Sequence, residues 1–328
     1  MPSSILHPPS SFVLVTGGAG FIGSHLVERL LKDGNSVLVI DDLSTGSLQN
    51  LAAVKSNSRL RIIKSKISSC AELPKLAAKA DFIFHLAATV GVDLVVKSAL
   101  HVLEASFHET QILLQAAAQH STPLLLTSTS EVYGKSAKPT FNEDDDLLIG
   151  PPGQSRWSYA CSKLTDEFLA LAYAREKNLP VIVARLFNTV GPRQTGRYGM
   201  VLPRFIAAAK KNQLLRVFGD GQQTRCFCCV HDAVEALVRL QGCQKARGEI
   251  FNVGSTEEVS IVGLAKLVVA TLGSKSKIEL VPYDRAYAPG FDDMRRRKPH
   301  VEKLERFVKF RPQTPLKKII RLTAAAAA

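Results

Sequence analysis

Short apolar runs alternate with longer stretches of helical periodicity through the first half of the chain. Phe12-Val13-Leu14-Val15-Thr16 has strand length, and the following segment to Lys32 sets Leu26, Val27, Leu30 and Leu31 on one helical face. The same alternation predicts strands at 12–16, 37–41, 60–64, 81–85, 123–128, 181–187 and 249–253. Strands and helices in that order predict an α/β fold, a doubly wound parallel sheet with helices on both faces. Residues 10–187 are assigned to this domain. A helical pattern with Val234, Leu237, Val238 and Leu240 makes residues 231–254 return to it. Residues 188–230 and 255–323 read as a smaller α/β lobe. Its elements are a helix from Val201 to Lys211, helices at 261–272 and 301–308, and a strand at 278–281. Substrate is expected between the two, outside the carboxyl ends of the strands.

Between the first strand and the first helix stands Gly17-Gly18-Ala19-Gly20-Phe21-Ile22-Gly23. A glycine turn in that setting suits a dinucleotide. Gly17 permits the tight turn, Gly20 lets a pyrophosphate approach the backbone, and Gly23 allows close helix–strand packing. The helix start offers free N–H groups and a positive dipole end to phosphates. The second strand ends in Asp41-Asp42, and Asp41 lies where an acid takes the adenosine ribose hydroxyls. A carboxylate there repels a 2′-phosphate, so NAD is expected rather than NADP. The sheet is therefore read as Rossmann-type, with NAD as cofactor.

Tyr159-Ala160-Cys161-Ser162-Lys163 places a tyrosine and a lysine on one helix face. The ammonium is expected to stabilise a phenolate, making a phenol of ordinary pKa near ~10 a base at neutral pH.

Composition narrows the picture. No apolar stretch reaches the ~18–20 residues of a membrane helix. Met1 to Ser11 lacks the pattern of a secretory leader, and residues 1–9 read as a flexible extension. Ala324 to Ala328 reads as an artefactual run. The six cysteines include Cys226-Phe227-Cys228-Cys229, which alternates like a strand and lacks a second pair at finger-like spacing. Packed, reduced thiols in a cytoplasmic protein, and no metal, are expected. The formal charge of +13 is explained in part by an anionic substrate and a diphosphate cofactor. Arg295-Arg296-Arg297-Lys298 and Lys317-Lys318-Arg321 lack interleaved aromatics, so nucleic acid is not favoured as a partner.

The glycine turn and Tyr-x-x-x-Lys resemble those of the extended short-chain dehydrogenase/reductases, the nucleotide-sugar epimerase, dehydratase and decarboxylase group. The likeness extends through His85-Leu86-Ala87-Ala88, Thr127-Ser128-Thr129-Ser130-Glu131-Val132-Tyr133-Gly134, Arg185-Leu186-Phe187-Asn188, Gly191-Pro192-Arg193, Val217-Phe218-Gly219-Asp220-Gly221 and Arg296-Arg297-Lys298-Pro299. The resemblance implies a cofactor set of Gly17, Gly20, Phe21, Ile22, Gly23, Asp41, Asp42, Ile67, Leu86, Ala87, Ala88, Tyr159 and Lys163. It gives Thr129 the reacting sugar hydroxyl, Tyr159 the proton, and Lys163 the nicotinamide ribose. Asn188, Arg193, Val201, Val217, Phe218, Arg225 and Asp232 are implied to hold a UDP-sugar.

Thr129-Ser130-Glu131 separates the reactions. Dehydratases of the group usually carry an Asp where Ser130 stands, and simple 4-epimerases usually lack the Glu. The triplet resembles that of UDP-glucuronate decarboxylases, and Arg297 matches the arginine those enzymes place near the substrate carboxylate. The catalytic set is therefore Thr129, Ser130, Glu131, Tyr159, Lys163 and Arg297. The reaction expected is C4 oxidation of UDP-glucuronate, decarboxylation and re-reduction to UDP-xylose. The alternatives are an NAD-dependent 4-epimerase of a UDP-sugar or UDP-uronate, and a non-catalytic nucleotide- or RNA-binding relative. Two departures stand out: Lys66-Ile67 where relatives often have an acid against the adenine, and Ser106 where they often have an Asn bracing the active-site helix. The resemblance also implies a homodimer through residues ~92–119 and the Tyr159 helix, with Leu164, Phe168, Leu171 and Ala172 as its stripe.

Overall fold

A computed structural model of the chain describes residues 11–88, 99–196, 200–282 and 294–326; the start of the expected dimer segment, at 92–98, and the ends of the chain lie outside them. All seven expected sheet strands are present. β1 (Phe12–Thr16), β2 (Ser36–Asp41), β3 (Leu60–Lys64), β4 (Phe82–His85), β5 (Leu124–Thr129), β6 (Val181–Leu186) and the strand Ile250–Val253 form one sheet. Its order is Ile250–Val253, β6, β5, β4, β1, β2, β3, with every pair parallel. The chain winds outward in both directions from β1 and β4, so a crevice opens at their carboxyl ends. There Thr16 stands level with Ile40 and His85.

Side chains on successive strand residues point to opposite faces, and both faces are buried. Val13 and Val15 pack with Leu26, Leu30, Val234 and Leu237 from the helices Phe21–Lys32 and Val230–Gln241. Leu14 packs on the other face with Leu113, Leu114 and Ala117 of the helix Ala99–Ala118. The helix Glu302–Val308 also joins the sheet, through Leu304 and Val308 beside Phe251. It was expected in the lobe; its apolar face instead covers the edge strand, which would otherwise be exposed.

The helix carrying Tyr159, Ser158–Lys177, is pinned to the sheet by a buried polar network. Arg185 of β6 donates Nη2 to Glu167 Oε2 at 2.7 Å, Ser128 of β5 donates to Glu167, and Arg185 Nη1 donates to the Tyr133 hydroxyl at 3.0 Å. Removing one partner of such a pair costs about 3–5 kcal/mol, because the other charge stays buried.

A second core gathers Leu202, Phe205, Leu264, Val268, Ile319 and Ile320 from the helices Val201–Lys210, Ile261–Leu272 and Leu316–Ala326. Beside it the parallel strands Leu215–Phe218 and Ile278–Val281 pair, and Thr224–Cys226 pairs antiparallel with Glu258–Ser260. Cys226, Cys228 and Cys229 are buried free thiols. The last helix was not anticipated. The alanine run continues it through Ala326, and Lys210 Nζ donates to the Ala324 carbonyl at 3.3 Å. Pro312 and Pro315 just upstream hide the periodicity, although proline suits a helix start.

One long-range bridge matters for the site. Phe141 N–H donates to the Lys298 carbonyl and His300 N–H to the Phe141 carbonyl, both at 2.9 Å. This parallel bridge sets Arg297 beside the turn after β5. No helix among the described residues is long and apolar enough to cross a membrane.

Candidate active site

A cavity of about 700 Å³ runs from the glycine turn, over the carboxyl ends of the strands, to the lobe. At one end Gly17 adopts φ +71°, and a Cβ there would stand 2.7 Å from the Ala87 nitrogen. A Cβ on Gly23 would stand 2.1 Å from the Gly17 carbonyl. Gly20 is different: its Cβ would approach only Gly17 O, at 3.1 Å, so a larger side chain would fill the cradle instead of clashing with the fold. Phe21 and Ile22 follow on the cavity wall, where the first N–H groups of a helix have no intrahelical partner.

Asp41 ends β2. Its Oδ2 accepts from Ala19 N–H and its Oδ1 from Leu43 N–H, each at 2.9 Å. Burial pushes its pKa up, against these two bonds. The fixed carboxylate keeps lone pairs for ribose hydroxyls. Asp42 lines the cavity too, while its Oδ1 takes Ser44 N–H at 2.9 Å and Ser44 Oγ–H at 2.6 Å. Beyond lie Ile67, Leu86, Ala87 and Ala88. Cradle, helix start and ribose acceptor together fit NAD. Glu109 also lines this end and accepts from Ser68 N–H at 2.8 Å and Ser68 Oγ–H at 2.5 Å. It was not singled out from the sequence, though it follows Ser106 by three residues.

At the centre, Thr129 closes β5 and caps the short turn Ser130–Tyr133, its Oγ1 accepting from Glu131 N–H at 3.2 Å. The Tyr159 phenol hydrogen-bonds Thr129. Tyr159 and Lys163 share one face of their helix, as expected, and both line the cavity with Thr129, Ser130 and Glu131. Burial pushes the Tyr159 phenol well above its ordinary pKa, and the charges of Glu131 and Asp166 push it further. Lys163 Nζ donates to the buried Asp166 Oδ2 at 3.0 Å. Ser106 Oγ donates to the same oxygen at 2.8 Å.

Glu131 is gripped from two sides. Arg156 Nη1 donates to its Oε2 at 2.7 Å, and Arg297 Nη1 donates to its Oε1. Burial raises its proton affinity, but Arg297 and Arg156 outweigh that and hold the carboxyl far below the usual range. Arg297 is 9% exposed, and its Nε–H is buried without a hydrogen-bond partner. Arg156 was not given a role from the sequence; the signal was its place in the run just before Tyr159.

Towards the lobe, Asn188, Val201, Phe218 and Arg225 line the cavity. Three implied substrate residues do not. Arg193 donates to Glu28 at 2.5 Å and to Ser24 at 3.2 Å, bracing the glycine-turn helix. Asp232 accepts from the Gln313 and Thr314 N–H groups at 3.1 and 2.8 Å, fixing the chain before the last helix. Val217 points into the lobe core. Strand alternation instead turns Arg216 and Phe218 to the cavity, where Arg204 stacks on Phe218 at 4.5 Å.

Three comparisons bear on this geometry. The family model described as the NAD dependent epimerase/dehydratase family matches residues 13–254. The chain is 43% identical over 300 residues to the UDP-N-acetyl-alpha-D-glucosaminuronate decarboxylase of Bacillus cytotoxicus, covering 91% of this chain and 92% of that one. It is 34% identical over 305 residues to UDP-glucuronic acid decarboxylase 4 of Arabidopsis thaliana, covering 93% of this chain and 66% of the plant protein. Among solved structures, UDP-glucuronic acid 4-epimerase from Bacillus cereus, in complex with UDP-glucuronic acid and NAD, superposes with a TM-score of 0.85 at 29% identity. That match covers 96% of this chain and 98% of the other.

Proposed function

This chain belongs to the NAD dependent epimerase/dehydratase family, and we propose that within it the chain is a decarboxylase of a UDP-linked hexuronate. The observation that carries this reading is Glu131 held between Arg156 and Arg297, with the buried Arg297 Nε–H unpartnered. The named activities of the Bacillus and plant relatives support it.

NAD, when bound, supplies a hydride acceptor and donor at sugar C4. Thr129 orients the C4 hydroxyl, Tyr159 accepts its proton, and Lys163 reaches the nicotinamide ribose. A ketone at C4 makes the uronate a β-keto acid, which loses carbon dioxide through an enolate that needs electrostatic support rather than a nucleophile. Arg297 turns its fork to the substrate carboxylate. As it leaves Glu131, that carboxyl gains proton affinity, takes a proton from solvent and passes it to C5. Tyr159 returns its proton when the ketone is reduced. On the lobe, Arg225 is assigned to the diphosphate, since a guanidinium donates two parallel hydrogen bonds to it, and Phe218 with Arg204 to the base.

The test is product mass after incubation with UDP-glucuronate, UDP-N-acetylglucosaminuronate and UDP-glucose. A uronate is expected to yield a product lighter by one carbon dioxide, UDP-xylose in the case of UDP-glucuronate, and UDP-glucose no such product. A uronate product of unchanged mass would replace this reading with a 4-epimerase.

A homodimer is part of the proposal. Leu103 and Phe107 of the helix Ala99–Ala118 are 37% and 40% exposed, and Phe168 of the Tyr159 helix is 65% exposed. Leu164 and Leu171 are half-buried against core residues, so Phe168 is the most exposed of these apolar side chains. Light scattering should give a dimer, and Phe168→Asp should shift it to monomer; a monomeric parent at micromolar concentration refutes the pairing. The free state of all six cysteines supports a reducing compartment such as the cytoplasm.

A further inference from the structure

Behind the cavity wall, Lys163 pairs with a carboxylate that the reaction above leaves unused. Asp166 is 0% exposed. It sits one helical turn beyond Lys163, and its Oδ2 accepts both from Lys163 Nζ at 3.0 Å and from Ser106 Oγ at 2.8 Å. Its other oxygen, Oδ1, is buried without a hydrogen-bond partner. Desolvating a carboxylate costs several kcal/mol, and only pairing offsets it. Here the pairing falls on the lysine next to the catalytic base, and the brace comes from a different helix. Ser106 stands on Ala99–Ala118, so the three side chains tie that helix to the Tyr159 helix behind the cavity wall.

We propose that Asp166 is a positioning residue which, braced by Ser106, holds the Lys163 ammonium and thereby sets the proton affinity of the Tyr159 phenol. The proposal rests on the reading of Tyr159 as the base. The charged and titratable groups around that phenol come from several elements. Glu131 faces it from the turn after β5, with Arg156 and Arg297 paired to that glutamate. Lys163 and Asp166 lie on its own helix. His85 stands at the end of β4, where burial and Lys163 push its pKa down to about 3, so it is neutral. Glu167 is committed to Arg185. Asp166 acts on the phenol in two ways of the same sign: its own charge disfavours the phenolate, and it partners the ammonium that would favour it.

The sign of the test follows. Asp166→Asn removes the charge and keeps the shape, so Tyr159 should ionise at lower pH, by up to about 1–3 units, the range for a charge within about 4–6 Å. The readout is tyrosinate absorbance in NAD-loaded protein without sugar, taken as the difference between each protein and its Tyr159→Phe counterpart. It requires no turnover. Asp166→Ala, which leaves no amide to replace the carboxylate, must shift the titration in the same direction. With a uronate substrate, the acid limb of kcat/KM should move down with it. An unshifted or upward-shifted titration in either variant overturns the proposal even where turnover falls, since falling turnover alone is what a structural role produces. A downward shift in a protein that decarboxylates no uronate sustains the role of Asp166 and removes the substrate reading instead.

Discussion

Tyr159→Phe is expected to lower turnover by about 10²–10⁴-fold while leaving affinity for NAD and the UDP-sugar largely unchanged. The variant removes one oxygen. The ring still packs on its helix, and Lys163 keeps its bond to Asp166. What is lost is the only phenol that meets Thr129 and Glu131 at the end of β5 among the described residues. The parent enzyme carries that phenol in an environment that favours its protonated form, through burial first and then Glu131 and Asp166. Turnover in the parent should therefore rise with pH as the phenolate becomes accessible, and the variant should lose that dependence. Calorimetry for binding and product mass for turnover separate the two effects. Near-parental turnover in the variant would remove Tyr159 as the base.

Arg297→Ala is expected to reduce kcat/KM for the UDP-uronate by about 10²–10³-fold, or about 3–4 kcal/mol, and to affect the binding of a neutral UDP-hexose far less. Two consequences combine. The substrate carboxylate loses a cation in a site where little water competes, so the charge is worth more than at a surface. Glu131 also loses one of its two guanidiniums, and its proton affinity rises in the resting enzyme. Arg297→Lys restores the charge without the planar fork and should recover only part of the loss. Equal losses for uronate and neutral sugar would assign Arg297 to the diphosphate and withdraw it from decarboxylation.

The parts of this molecule that could be read from sequence are those where local pattern and global fold agree. The sheet strands are continuous apolar runs because both faces are covered, and each is punctuated by a turn, so all seven stand where their periodicity places them. The glycine turn is legible because backbone contact, as at Gly17 against Ala87, admits no other residue. The Tyr159–Lys163 pair follows from helix geometry alone. Less legible were side chains whose partners come from far along the chain. Arg193 and Asp232 match a substrate motif, yet their partners, Glu28 and Thr314, divert them to the framework. The tyrosine's electrostatics could not be read either, since Asp166 acquires its meaning only when Ser106 arrives from another helix. Arg156 and Glu109 are visible as residues, but the cavity they line exists only after folding.

The bridge between Phe141 and Pro299 has a bearing on how the enzyme comes into being. A chain emerges from the ribosome amino terminus first, and domains tend to fold as they appear. The glycine turn, Thr129, Tyr159, Lys163 and all seven sheet strands precede Arg297 in the chain, so each is translated before the residue that closes on Glu131. Until residues 298–300 dock on Phe141, Arg297 has no fixed place beside Glu131, and Arg156 is the guanidinium left to pair with that carboxylate. The order of synthesis thus leaves the pairing of Arg297 with Glu131 among the last parts of the site to form.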